Sequence, residues 1–363
     1  MKYIDEFRNR GIIKKVSRRI FEMMPENEIR LMEVCGTHTQ NFHRFGLDKL
    51  LPDNLRLIAG PGCPVCVSPQ EYIDKAIQLS KDANTVILTF GDMLRVPGTS
   101  ASLLKQRAKG ADVRIVYSAW DSLKLARENP AKRLIFLAVG FEATASTLAL
   151  TLQAAKKEGL NNFFFFTALK LIPPAMKALV SDPELKIDGF LCPGHVSAII
   201  GSQPYEFIPK KYKIACCVAG FEPMDILEGI YFLLYQIVHN KPGVKNQYTR
   251  VVKRAGNPSA KAIIRKAFKV TNASWRGLGE IAGSGLSLRE EFSGFDIEKT
   301  MPHDIKRKTL NIKQQNCRCG EVIKGIIQPL QCPLFKNTCS PQEPYGPCMV
   351  SSEGACNVYY RYK

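Results

Sequence analysis

Short apolar, β-rich runs alternate with amphipathic stretches along the first two-thirds of the chain. Eight runs stand between residues 29 and 220: IRLMEVCG, LRLIAGPG, TVILTFGD, VRIVYSAW, RLIFLAVGFE, NFFFFTAL, DGFLCPGH and YKIACCVAGFE. Most are apolar at consecutive positions, lead into a Gly-containing turn and precede a helical stretch. Strands apolar on both faces and separated by helices predict α/β architecture with parallel sheets covered on both sides. Eight strands exceed one comfortable domain. The pattern therefore predicts two α/β domains, 28–128 and 129–240, divided near ARENPAKR and flanking a cleft. Past residue 240 the alternation weakens into a basic helical stretch, VKNQYTRVVKRAGNPSAKAIIRKAF, and a Gly-rich one, GLGEIAGSGLSLREEF. With the N-terminal helical segment these predict a third, mainly helical and irregular domain, 1–27 plus 241–363, ending in a cysteine-rich tail.

Open parallel sheets bind ligands beyond the carboxyl ends of their strands. The chain's unusual residues fall there: Cys35, Cys63, Cys66, Asp92, Glu142, His195 and Glu222. In AGPGCPVCVSP, the residues Gly60, Pro61, Gly62 and Pro64 stiffen the turn that carries Cys63 and Cys66. Such a pair reads as a thioredoxin-like dithiol, a metal clamp or a chance pair, and the stiff backbone favours a functional one. CGTHTQNFH supplies Cys35 and His38 in a polar turn, where burying a small hydrophobe gains little. Ser68 as cap, Pro69 at the first helical position and Glu71 predict a capping box, and Thr37 with Gln40 predicts another. A helix start just after a thiol favours thiolate, which is the expectation for Cys35 and Cys66. His195 in CPGHVSAIIG suits a proton donor, a ligand or a turn residue. Glu142 and Glu222 each follow Gly-Phe at a strand end, where a carboxylate also serves simply to cap the next helix; Asp92 is similar. Cys192, Cys216 and Cys217 lie in apolar strand segments and read as core.

Composition changes the picture through its twelve cysteines in 363 residues. The apolar runs are too short for a membrane span, and the charged N-terminus has no secretory core. A cytoplasmic protein is expected, in a compartment that keeps thiols reduced, so metal or redox chemistry explains the cysteines better than disulfides. The net charge of +18 is spread along the chain without an RNP motif, zinc finger or basic arm. It suggests solvation plus an acidic protein partner, with neither nucleic acid nor membrane expected. No P-loop and no dinucleotide-binding glycine fingerprint is present.

The tail holds Cys317, Cys319, Cys332, Cys339, Cys348 and Cys356, and its nearest preceding histidine is His303. Six thiols without histidine equal four ligands and a pair, a count that suits a 4Fe-4S cluster beside a redox dithiol. A zinc site with four thiolates and two bystanders is the alternative. The C-x-C spacing resembles ferredoxin:thioredoxin reductase. That resemblance implies Cys317, Cys332, Cys339 and Cys356 as cluster ligands and Cys319 with Cys348 as the redox disulfide.

CGTHT, GPGCPVC, GFEAT, PGHVSAIIG, GFEPMD and CMVSSEGAC occur in that order. Together they closely resemble the HypD family of nickel–iron hydrogenase maturation factors, over nearly the whole chain from Glu28. One departure is Ala143, where the family's motif carries a second Thr. The resemblance implies a scaffold on which the Fe(CN)2CO moiety is assembled with a HypC-type chaperone, the cyanide coming from a HypE-type donor. It further implies Cys35 as the iron ligand with Cys63 and Cys66 close by, and His38 with the rim carboxylates as supporting or proton-handling groups. The tail cluster would then feed electrons to these thiols. The chain alone is expected to be a monomer. A cluster-dependent thiol–disulfide oxidoreductase is the alternative function.

Overall fold

The structure is a computed structural model that describes residues 4–301 and 317–363, so His303 lies outside the described residues. From the N-terminus the chain runs α1 (Arg10–Met23), β1 (Ile29–Glu33), α2 (Gly36–Arg44), β2 (Leu55–Ala59), α3 (Gln70–Leu79) and β3 (Thr85–Thr89). Next come α4 (Leu103–Ala108), β4 (Val113–Ile115), α5 (Asp121–Glu128), β5 (Arg133–Gly140), α6 (Glu142–Lys157), β6 (Phe163–Lys170) and α7 (Ile172–Val180). Then β7 (Gly189–Pro193), α8 (Gly194–Ile200), α9 (Phe207–Tyr212), β8 (Ala215–Ala219), α10 (Pro223–Val238), β9 (Val244–Asn246) and α11 (Pro258–Ala267) follow. β10 (Phe268–Trp275), β11 (Gly279–Leu288), α12 (Ile297–Thr300), α13 (Cys319–Lys324) and α14 (Ala355–Tyr362) complete it.

The eight apolar runs all form strands, and they pair in parallel within two sheets. The first sheet has the order β2-β1-β7-β8-β9 and is parallel throughout. The second has the order β10-β11-β6-β5-β3-β4, with β10 and β11 antiparallel. Consecutive apolar positions are used on both faces, as they must be when helices cover both sides. In β5, Leu134 and Phe136 face one apolar cluster while Ile135 and Leu137 face another. In β8, Cys216 and Val218 face one cluster and Cys217 and Ala219 its opposite. Cys192, Cys216 and Cys217 are fully buried there, as the apolar runs suggested.

The sheets do not follow the expected boundaries. β3 and β4 precede residue 128, yet β3 pairs with β5, Ile87 opposite Ile135. β1 and β2 instead share a sheet with β7 and β8, from the expected second unit, through the pairing of β1 with β7. The chain crosses to the second sheet after α3 and returns after α7, and local periodicity carries no record of which sheet a strand joins. The expected third domain is divided as well. α1 packs on α10, β9 extends the first sheet, and the β10–β11 hairpin joins the second. The Gly-rich stretch reads as irregular but forms β11, because its glycines serve the strand. A Cβ on Gly285 would lie 2.7 Å from the Cβ of Ala273, and the pairing slips between Thr271 and Ala273, the mark of a bulge. Only the tail from Cys317 consists of short helices and irregular turns.

Candidate functional site

The site begins where β1 and β2 end side by side. Cys35 is the N-cap of α2, and the turn after β2 lies against it, with the Gly36 N–H donating to the Gly62 carbonyl at 3.0 Å. A Cβ on Gly62 would stand 2.2 Å from the Cys35 nitrogen, so only glycine permits this approach. The next residue is Cys63, whose sulfur accepts from the Cys66 N–H at 3.4 Å. The two motifs that are 28 positions apart in the sequence thus form one double turn at the carboxyl ends of neighbouring parallel strands.

Neither predicted capping box forms here. α3 starts at Gln70 after Pro69, and the Ser68 hydroxyl instead donates back to the Pro64 carbonyl, bracing the C-x-x-C turn. The Thr37 hydroxyl donates to Glu353 at 2.7 Å, so tertiary contact wins over local capping. The His38 N–H donates to the Cys35 carbonyl at 3.0 Å, and the nearby Thr37 and His38 N–H groups act on the sulfur only to lower its pKa.

The expected open, thiolate-bearing cleft is corrected. Cys35, Cys63 and Cys66 are 7%, 5% and 3% exposed. Burial pushes the Cys35 thiol up to about 12, the nearby Glu353 carboxylate adds to this, and the N–H groups of α2 are outweighed. At Cys66 the contact with Cys348 lowers the pKa, but the Cys63 contact and burial overcome it and hold the thiol well above its ordinary value. Both thiols are therefore protonated at neutral pH. We expect Cys35 to alkylate slowly at pH 7 and faster as pH rises towards 12. Glu353→Gln removes the opposing charge, so it should lower the thiol pKa and speed alkylation at any fixed pH below that. Mass-spectrometric alkylation rates for Cys35 check both signs.

The tail reaches the same place. Cys66 interacts with Cys348, and its thiol faces the Pro347 carbonyl at 3.8 Å. Cys348 interacts in turn with Cys319 and Cys356, and Cys319 with Cys317. Cys317, Cys319, Cys332, Cys339, Cys348 and Cys356 line one small cavity with Leu334, Phe335 and Met349. All twelve cysteines are free thiols. Among the described residues no three His, Cys, Asp or Glu side chains gather round a single ion position. A cubane asks for something different, one thiolate at each iron corner, and a small apolar cavity walled by six free thiols suits that donor set. The Arg276 guanidinium, between β10 and β11, holds that hairpin to the segment after the C-x-x-C turn, donating to the Ser68 carbonyl at 2.8 Å and to Gln70 at 2.9 Å. Its positive charge opposes the rise that the Cys319 contact and burial impose on Cys317.

The remaining predicted residues separate. His38 is fully buried, its Nε2–H donating to the Gly220 carbonyl at 2.8 Å and the Ala219 carbonyl at 3.2 Å. Burial lowers it to about 4, so it is neutral, and its Nδ1 has no partner among the described residues. His195 is exposed and stacks on Phe221 at 4.0 Å. Glu222 is the N-cap of α10 in a reciprocal capping box with Asp225, and Arg8 pairs with it. Glu142 begins α6; its Oε1 accepts from the Ile172 N–H at 2.9 Å, its Oε2 has no partner among the described residues, and burial raises it to about 7. Asp92, in the turn after β3, adds its charge to the burial that raises Glu353. Glu353 and Arg276 belong to the site and were missed by sequence reasoning. Glu353 sits inside CMVSSEGAC, which offered a signal, whereas nothing local marked Arg276.

The structure is thus an α/β protein with parallel-strand sheets in which the turns carrying Cys35 and Cys63 meet at the ends of neighbouring strands and six tail thiols line one cavity. The family model described as HypD, the hydrogenase formation hypA family, matches residues 11–363, and the chain belongs to that family of hydrogenase maturation factors. It is 44% identical to the hydrogenase maturation factor HypD of Escherichia coli, over the whole chain and 98% of that protein. It is 43% identical to HypD of Azotobacter vinelandii and 40% to that of Cupriavidus necator, over the whole chain and 97% of each relative.

Proposed function

We propose that this protein, in the cytoplasm, scaffolds assembly of the Fe(CN)2CO moiety of nickel–iron hydrogenase, together with a HypC-type chaperone and a HypE-type cyanide donor. The observation that carries the proposal is the unbroken row of thiols from the C-x-x-C turn to the tail, with the Cys35 turn pressed against its start. Iron bearing carbonyl and cyanide is a soft, electron-rich cargo, and thiolate is a fitting ligand for it. Cys35 takes the iron, losing its proton as it does so. A thiol held near pKa 12 stays protonated and inert until a metal displaces the proton. Glu353, whose charge acts on Cys35 and which accepts from Thr37, stands near it to receive that proton. His38, a neutral imidazole with a free Nδ1, fixes α2 against β8 and keeps a second charge out of the site.

Cys317, Cys332, Cys339 and Cys356 hold the 4Fe-4S cluster in this reading, and Cys319 with Cys348 forms the dithiol. When bound, the cluster supplies one-electron redox chemistry. Cys348 touches both the tail thiols and Cys66, which is where electrons would enter the C-x-x-C pair. That same contact favours the second reading, a thiol–disulfide oxidoreductase acting on protein substrates. Iron and acid-labile sulfide analysis with infrared spectra of the anaerobically purified chaperone complex tests the proposal. Cyanide and carbonyl stretches are expected only when the chaperone is bound. A complex with cluster iron and sulfide but neither stretch would sink it.

A further inference from the structure

We infer that the β4 edge of the second sheet is a docking surface for an acidic protein partner with an apolar anchor. On the proposed function, this partner is the small HypC-type chaperone. β4 is the outermost strand of its sheet. Around it Ile115, Tyr117 and Trp120 are 41%, 95% and 52% exposed, and Leu104 from the adjoining α4 is 44% exposed. Single exposed apolar residues need no explanation, but four on adjoining elements, two of them large aromatics, mark an interaction surface.

Charge names the class of partner. Lys105, Arg107 and Lys109 on and after α4 are exposed, and none forms an ion pair with a described residue. The nearby carboxylates are engaged elsewhere. Asp112 is held by Arg114 and Lys132, and the Asp121 carboxylate accepts from the Ser118 N–H. The patch is thus apolar at its centre and positive along one side, a complement to an acidic surface.

Position ties the patch to the site. Gly91, at the end of β3, lies against Ile115, where an added Cβ would stand 3.9 Å from its methyl group. Asp92 follows and acts on Glu353, which accepts from Thr37, two residues after Cys35. A partner seated on Tyr117 and Trp120 is therefore connected to the Cys35 turn through Ile115, the Gly91–Asp92 turn and Glu353.

The test measures the affinity of the full chain for its purified cognate HypC-type chaperone at low and moderate salt. Tyr117 and Trp120 are exposed, so Tyr117→Ala with Trp120→Ala should leave the thermal midpoint in place while raising Kd about tenfold or more, as truncated aromatic anchors do. Lys105→Glu with Arg107→Glu should slow association and abolish most of its salt dependence. Variants that bind like the wild type, while the wild type binds well, overturn the docking surface and leave the scaffold reading standing. A wild-type chain that fails to bind the chaperone overturns both. Loss of HypE-type donor binding with chaperone binding unchanged assigns the patch to the other partner and overturns the inference.

Discussion

Cys35→Ala is expected to leave the chain folded and its tail thiols in place, while the chaperone complex loses its carbonyl and cyanide stretches. The structural cost is small because the sulfur makes no capping hydrogen bond to α2, whose first-turn His38 N–H goes to the Cys35 backbone carbonyl that alanine keeps. Helix α2 keeps its other anchors, the His38 ring on the Gly220 carbonyl and the Asn41 amide on the Phe221 carbonyl. The functional cost should be complete, since no other thiol lies on that turn. Iron analysis separates the two readings of function. A scaffold loses the cargo iron and both sets of stretches, and keeps the sulfide and visible absorption of its cluster. An oxidoreductase working through Cys63 and Cys66 keeps its full iron content and its thiol–disulfide turnover. Unchanged iron with unchanged stretches in the variant would remove Cys35 from the site.

The strands were legible because each apolar run is self-contained, so β5 and β6 announce themselves through RLIFLAVG and FFFFTALK. Their assignment to sheets was not, because pairing β3 with β5 and β1 with β7 is decided by packing across distant segments. The thiols of the site were legible from Gly and Pro around CPVC and from the cysteine count of the tail. Their environment was not. A helix start beside Cys35 argued for thiolate, but the sequence contains no statement of burial, and burial outweighs the two N–H groups. Glu142 and Glu222 show the same limit. They occupy equivalent places after Gly-Phe, yet one is buried with an oxygen that has no partner among the described residues and the other caps α10 beside Arg8.

Gly62→Ala should be the most damaging single methyl group in the site. The added carbon would meet the Cys35 nitrogen at 2.2 Å, the Cys35 Cα at 2.5 Å and the Val34 carbonyl carbon at 2.5 Å. All three are backbone atoms in the turn that leads from β1 into α2, so no side chain can swing aside. Relief requires the two turns to part, which breaks the hydrogen bond from Gly36 to the Gly62 carbonyl. Overpacking of this kind costs about 3 kcal/mol, at the upper end of its usual range. Gly46→Ala is the comparison, because Gly46 has φ +64° and open space around its Cα. There only the left-handed backbone is penalised, by about 1 kcal/mol. Denaturant midpoints for the two variants should therefore differ clearly, with Gly62→Ala far lower. Parting the turns also admits water to Cys35, so its alkylation at neutral pH should accelerate, while Gly46→Ala leaves it slow. A Gly62→Ala protein as stable as the wild type, with Cys35 still unreactive, would mean that the C-x-x-C turn does not set the position of Cys35. The two motifs would then have no mechanical reason to act as one site.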